Sequence, residues 1–428
     1  MNNVFPLGIN VNQFENNNQS LSVSEAQTWI QSHITAIPDI QQVDLKSALG
    51  RVLASDVLSP IDVPAHNNSA MDGYAFSGAE LTQVPTLSLT VIGEAYAGHP
   101  YTGIVPHGSC IKIMTGAVMP DGCDTVVPQE MVTHISQLQI NIPSNKLRLG
   151  DNRRLRGEDL QKGKVACAGG KYVGPAELGL LASLGIAQVS VMRRLRIAYF
   201  STGDEVRSLG QQLDEGCIYD SNRYTVFGML SRLGCEVIDM GVIKDHPEAL
   251  ELALRAACDQ ADAIITSGGV SVGAADYTRQ VMAKLGKVAF WTIGMRPGRP
   301  LAFGEIQNNG QSAYLFGLPG NPVAVMVSFY FFVKQALEKL GGAQSTEIIM
   351  VPAISSKSIR KRPGRTEYQR GIARLNASGQ LEVSVTGSQG SGVLRSMSEA
   401  NCMIVLGDEQ DHVAAGSTVE IVLFEGLI

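Results

Sequence analysis

Apolar residues recur at helical spacing along 24–37, at Ala26, Trp29, Ile30, Ile34 and Ile37, with Pro38 beyond. That spacing predicts an amphipathic helix with one buried stripe. His33 lies on or beside the stripe, where a packed ring is the favoured reading. A second short helix is expected over 47–54, followed by a loop of turn formers from Asp62 to Phe76. From about 85 to 145 the period shortens. Stretches such as 87–92 and 109–114 alternate between Gly and Pro punctuation, which predicts a small β-rich domain. A polar, Gly-rich stretch over 150–170 precedes a helix that opens at Pro175, a favoured first position. That helix ends before Gly185, a residue favoured just past a helix end.

A different rhythm begins near 193. Strand-like runs at 196–200, 235–242, 261–266, 287–293 and 314–317 alternate with helical patterns at 222–233, 247–259, 277–285 and 323–340. Such alternation predicts an open, parallel α/β sheet with helices on both faces. Crossover handedness then puts the strand-end loops on the carboxyl edge of the sheet. The remaining chain to Ile428 returns to strict alternation, as in LEVSVTG and TVEIVLF, and reads as a compact β-barrel or sandwich.

Composition narrows the class. The 428 residues are 44% hydrophobic and 17% charged, enough for several domains with real cores. With 34 basic and 40 acidic residues, a net charge of −6 and no basic stripe, a nucleic-acid partner is disfavoured. Seven cysteines are dispersed without a CxxC pair, against a disulfide framework or structural zinc. The Asn-rich first 20 residues lack the layout of a secretory signal and are expected to be a flexible extension. The most apolar run, 323–333, stops at Lys334, short of the ~20 residues a membrane-spanning helix needs. A cytoplasmic protein with no membrane partner is expected.

The strand-end loops carry the candidate chemistry. Ser201, Thr202 and Gly203 follow the first strand, Ser267 to Gly273 the third, and Pro319, Gly320 and Asn321 the last. Gly268, Gly269 and Gly273, with Val270 and Ser271 among them, would let backbone donors approach phosphate oxygens. The run is neither GxGxxG nor a Walker A loop, which disfavours a nicotinamide enzyme or an ordinary P-loop NTPase. Each loop alone is also explained as a tight turn. Glu205, Asp220, Asp245 and Asp276 crowd the same edge, and carboxylates joined by substrate phosphates suit Mg²⁺. Helix capping competes for Asp220, which has Asn222 behind it, and for Asp245 and Asp276. Glu205 follows a tight turn and is a ligand or base candidate. Arg296 and Arg299 flank Pro297-Gly298, a stiffened turn from which two guanidiniums can grip a tetrahedral oxyanion. Arg365 adds a third cation and Ser391 a hydroxyl, with solvated surface as the competing reading for each arginine.

Taken together, these motifs resemble the MoeA and gephyrin E-domain family of molybdopterin molybdenumtransferases. The likeness runs from about residue 20 to the C-terminus through NNSAMDGYA, IKIMTGA, RRLRGEDL, FSTGDE, YDSN, SGGVSVGAADYT, MRPGRPLAFG, LPGNPV and PGRTEYQRG, in that order. It implies a multidomain α/β protomer behind an extension over 1–20. A central open three-layer α/β domain, resembling a molybdopterin adenylyltransferase, would span 193–342. An elongated, largely helical linker would draw on 21–63 and 150–192, with a small β-rich domain over 64–149 and a C-terminal β-barrel over 343–428. The resemblance also implies a homodimer in which the partner's small domain completes each site. Its reaction would take adenylylated molybdopterin and molybdate, with a divalent cation such as Mg²⁺, and release AMP. A molybdopterin adenylyltransferase and recipient molybdoenzymes are the further partners it implies.

Mapped by motif, Glu205, Asp245 and Asp276 would handle the metal, the phosphoanhydride or the attacking water. Asp72, Thr115 and Asp159 would act from the dimer-completing side, although turn capping equally explains Asp72 and Thr115. The 267–273 loop would hold phosphate or pterin, and Arg296, Arg299, Arg365 and Ser391 would hold molybdate. The family often has lysine where this chain has Arg296 and Arg299. Arginine keeps the charge and cannot give up its proton, so binding rather than proton transfer is expected there. Two rivals stand beside this reading: an adenylyl-transferring enzyme that uses ATP directly, and a non-catalytic scaffold.

Overall fold

The computed structural model describes residues 20–81, 85–269, 276–344 and 347–428, without the Asp276 side chain. The expected extension, apart from Ser20, and the candidates Val270, Ser271 and Gly273 therefore lie outside the described residues.

The first helix, Val23–His33, opens on a reciprocal capping box between Ser22 and Glu25. It is shorter than expected because Ile34 adopts extended geometry. Ala26, Ile30 and Ile34 are buried, and the His33 ring stacks 3.7 Å from Trp29. Gln27 Nε2 donates to Phe331 O at 2.9 Å, so the helix docks on the α/β core. The helix expected over 47–54 does not form. A 3₁₀ turn, Leu45–Ala48, ends at Gly50, whose φ of 72° breaks helical geometry. Val52 and Leu53 then bridge to Tyr172 and Val191. Backbone pairing with a distant segment outweighs local helix propensity here. Strands Ile40–Asp44 and Val57–Leu58 likewise pair with Gln188–Met192 and Val165–Cys167. The helix Pro175–Ser183 starts and stops where Pro175 and Gly185 predict.

Between these segments lies a six-stranded sheet ordered Thr125–Pro128, Gly73–Phe76, Ser109–Ile113, Thr86–Ala95, Gln139–Pro143 and Thr133–His134. Its pairings are antiparallel except Thr86–Ala95 with Ser109–Ile113.

The α/β sheet is mixed rather than wholly parallel. Its order is Glu236–Ile243, Arg196–Thr202, Ala263–Ser267, Gln311–Leu318, Pro300–Asn308 and Gly286–Thr292. The first four run parallel, and Pro300–Asn308, not anticipated as a strand, runs antiparallel to both neighbours. A Cβ on Gly304 would lie 2.1 Å from Lys287 O, and one on Gly286 1.8 Å from Glu305 O. Glycine thus permits the close approach of these two strands. Because Gly286–Thr292 points the same way as the parallel four, the MRPGRP loop still opens at the carboxyl edge. It does so at the sheet's outer border, three strands from Ala263–Ser267.

The helix expected over 323–340 is Pro322–Ser328 and Lys334–Leu340 joined by a π-helical turn, Phe329–Val333. All five residues of that turn are buried, so the apolar run is a core helix. Each such side chain contributes roughly 1.5–3 kcal/mol of burial. Past it, Thr366–Leu375, Leu381–Val385, Val351–Ser355, Thr418–Leu423 and Cys402–Leu406 pair in turn and close back on the first. The C-terminal region is a five-stranded barrel, not a sandwich. All seven cysteines are free thiols, and no described helix is long and apolar enough to cross a membrane.

Candidate active site

At the carboxyl edge the parallel strands end in a cleft of about 590 Å³. The first loop supplies Ser201, Thr202, Gly203 and Glu205, and the start of the helix Ser221–Arg232 supplies Asp220 and Asn222. Asp245, Ser267, Gly268, Gly269, Gly320 and Asn321 line it from the remaining loops. Pro319 is buried and outside this lining. Gly268 and Gly269 have φ of 88° and 70°, and a Cβ on Gly268 would meet Thr202 O at 2.5 Å. Only glycine turns the chain here. In the floor, the buried Tyr199 hydroxyl lies 2.6 Å from Ser267 Oγ and 2.9 Å from Ser201 Oγ, tying two lining hydroxyls together.

The acids divide by duty. Asp220 caps its helix through Oδ1, which accepts from Arg223 N at 3.1 Å. Asp245 is not the cap of its helix, contrary to that reading of the sequence. His246 is, with its ring nitrogen accepting from Ala249 N at 3.4 Å. The Asp245 carboxylate instead accepts from the Tyr277 hydroxyl. Burial, and then this bond, push the Tyr277 phenol up to about 12, so it stays a donor at neutral pH. Glu205 folds back over Gly203, where a Cβ would sit 2.7 Å from its carboxylate. Among the described residues no three His, Cys, Asp or Glu side chains cluster to hold a metal ion. Mg²⁺, however, uses one or two carboxylates and completes its shell with phosphates and water. Glu205 and Asp245, lining one cleft, fit that requirement.

A second pocket, of about 280 Å³, lies between the MRPGRP loop and the barrel, lined by Arg296, Pro297, Arg360, Glu367, Gln369, Arg370 and Gln389 among others. Arg296 Nη1 approaches Glu367 at 3.4 Å. Arg370, which sequence reasoning did not select, is only 1% exposed. Its Nε donates to Ser396 Oγ at 3.1 Å and its Nη2 to the carbonyls of Ser388 and Gly390 at 3.2 and 3.0 Å. Burial, helped by Arg296, pulls its pKa down to about 10, which still leaves it charged at neutral pH. A buried guanidinium held by neutral acceptors carries uncompensated charge, and an anion relieves it. The available signal was an arginine with Tyr368 and Ile372 two residues to either side, in step with strand alternation.

Arg299 and Arg365 are exposed and line neither pocket. Gly298 is buried with a φ of 101°. Ser391 accepts from Val323 N through its backbone at 3.1 Å. Its neighbours Gly392 and Leu394 line the acidic cleft, whereas the preceding carbonyls of Ser388 and Gly390 hold Arg370. One loop therefore joins the two pockets.

Asp72 Oδ1 accepts both the backbone N and the hydroxyl of Thr115 at 2.7 Å. Those bonds tie it to another loop and hold its carboxyl below the usual carboxylate range. Asp159 is exposed. None of these three lines the cleft or the arginine pocket.

Fold and site define a multidomain α/β protein with a ligand-binding sheet edge, a preceding β-rich region and a closing barrel. The chain matches the MoeA N-terminal region (domain I and II) over 21–185. It matches a "Probable molybdopterin binding domain" over 198–339 and the MoeA C-terminal region (domain IV) over 352–424. A molybdopterin molybdenumtransferase from Haemophilus influenzae is 42% identical over 409 residues, covering 95% of this chain and 100% of the relative. One from Nostoc is 38% identical, covering 89% and 88%. A crystal structure of the molybdopterin biosynthesis MoeA protein from Pyrococcus horikoshii aligns with a TM-score of 0.80 at 29% identity, covering 95% of this chain and 100% of that one. The chain belongs to the MoeA family of molybdopterin molybdenumtransferases.

Proposed function

We propose that this chain inserts molybdate into adenylylated molybdopterin with release of AMP, assisted by a divalent cation such as Mg²⁺. Membership of the family supports the broader statement directly: the chain is a transferase of molybdenum cofactor biosynthesis that inserts molybdenum into molybdopterin. The observation that carries the finer reading is the pairing of an acidic cleft with an arginine pocket through one loop.

Molybdate and the phosphoanhydride are both anions. Two unit charges 4 Å apart interact by roughly 4 kcal/mol at an effective dielectric of 20, so the site must offset their repulsion. Arg370 and Arg296 hold the oxyanion. Ser201, Ser267 and the Gly268-Gly269 turn hold the phosphates. Glu205 and Asp245 would hold the cation, which supplies charge neutralisation at the phosphoanhydride when bound. Tyr277 fixes the Asp245 carboxylate in place. Asp276, just past the 267–273 loop, is assigned to the same set. Asp72, Thr115 and Asp159 lie outside the cleft, and in the homodimer that the family resemblance implies they would complete the partner's site. The same reading takes a cytoplasmic setting, with an adenylyltransferase supplying the substrate and molybdoenzymes taking the product.

The test is direct. Adenylylated molybdopterin, molybdate and Mg²⁺ should give cofactor and AMP in equal amounts. Consumption of ATP with unmodified molybdopterin would instead identify a direct adenylyltransferase.

A further inference from the structure

Three cleft-lining side-chain oxygens are buried without a partner: Thr202 Oγ1, a hydroxyl that can itself donate, and Asp220 Oδ2 and Asn222 Oδ1, which only accept. Asp220 is only 4% exposed. Its Oδ1 takes the Arg223 N–H, whereas its Oδ2 is buried with no partner. Asn222 Nδ2 donates to Gly320 O at 2.8 Å, which fixes the amide orientation, and its Oδ1 is likewise buried and unpartnered. Both residues line the cleft from the start of one helix. Burying an acceptor without a donor is unfavourable. The two that can only accept are accounted for by donors that arrive with the ligand.

We propose that Asp220 and Asn222 read the donor edge of the pterin ring, its exocyclic amino group and the adjacent ring N–H. This rests on the molybdopterin reading above and assigns which end of that substrate lies where. A pterin presents two neighbouring N–H donors, which match two acceptors. Adenine presents one amino donor beside a ring nitrogen lone pair, and that lone pair would face an acceptor. The pterin therefore lies at the Asp220 end, and the adenylyl phosphates fall to the Ser267–Gly269 side. Glu205 and Asp245, which carry no helix-capping bond, remain for the cation.

The test is calorimetric titration of the full chain with hydroxymethylpterin and with hydroxymethyllumazine, which replaces the amino donor by a carbonyl acceptor. AMP serves as the internal reference, with and without Mg²⁺. The wild type should prefer the pterin by roughly 10- to 100-fold, the cost of leaving a buried charged acceptor unmet. Asp220→Asn keeps an acceptor for Arg223 N but adds an amide donor, and should erase or reverse the preference. Asp220→Ser also keeps the cap and should weaken pterin binding without improving lumazine binding. Equal affinities in the wild type, or no binding of either pteridine at millimolar concentration, would overturn the assignment. So would loss of binding of Mg²⁺ alone in Asp220→Asn with the pterin preference intact. Molybdenum insertion without pterin–lumazine discrimination would remove this inference alone, whereas discrimination without insertion would remove the parent reading instead.

Discussion

The sheet-edge cleft and the barrel pocket hold charge in opposite ways. The cleft at the sheet edge collects carboxylates on separate loops, with Asp220 engaged in capping and Asp245 held by a phenol. The barrel pocket places a guanidinium almost fully out of water among carbonyl and hydroxyl acceptors. The first arrangement suits a cation and the phosphates around it. The second suits an oxyanion whose charge the buried Arg370 lacks. The difference teaches that one chain can present acidic and basic charge in separate pockets, with the 386–394 segment bordering both.

Substitutions should separate the pockets. Asp245→Asn leaves an acceptor for the Tyr277 hydroxyl but removes charge from the cleft, and turnover should fall by roughly 10²-fold or more. AMP release measured at saturating molybdate checks this, and full turnover would take Asp245 out of the machinery. Arg370→Gln should raise the molybdate concentration for half-maximal rate by roughly 10-fold or more, the worth of a charge-assisted bond, at unchanged use of the adenylylated substrate. Equal losses for both substrates would merge the two pockets into one. Gly268→Ala must adopt a φ of 88° and meet Thr202 O. A stability loss of roughly 1–3 kcal/mol in urea unfolding is expected. Arg296 is exposed and shares its charge with Glu367, so Arg296→Gln should cost only a few-fold in molybdate use by the same assay.

The smallest effect lies outside both pockets. The Thr115 bonds hold the Asp72 carboxyl below its ordinary value of 3.8. Their contribution to stability is therefore present above the unfolded value and lost as pH falls through the lower folded one. Thr115→Val keeps the backbone bond and removes the hydroxyl. The Asp72 pKa, followed by NMR, should rise part of the way back.

Much of the architecture could be read in the chain because two periods alternate so clearly between 193 and 342. The helix at Pro175 and the last core helix carried their own start signals. The antiparallel strand Pro300–Asn308 was hidden because Pro300 falls within the MRPGRP turn, and it is the close approach to Lys287 that requires Gly304. The helix expected over 47–54 failed because Val52 and Leu53 bond to residues more than a hundred positions away, which no local pattern encodes. The acids at the loop starts were legible, but which of them cap helices was not. His246 displaces Asp245 as a cap. Arg370 was not selected because its burial sets it apart, and burial depends on how the barrel closes.

The central claim is that the cleft and the arginine pocket each hold one reactant at the same time. A crystal structure with AMP, molybdate and Mg²⁺ tests it most directly. The AMP phosphate should lie against Ser267–Gly269 with the metal between it and Glu205 or Asp245, and molybdate should contact Arg370. Molybdate bound away from Arg370, or AMP outside the sheet-edge cleft, would contradict the account.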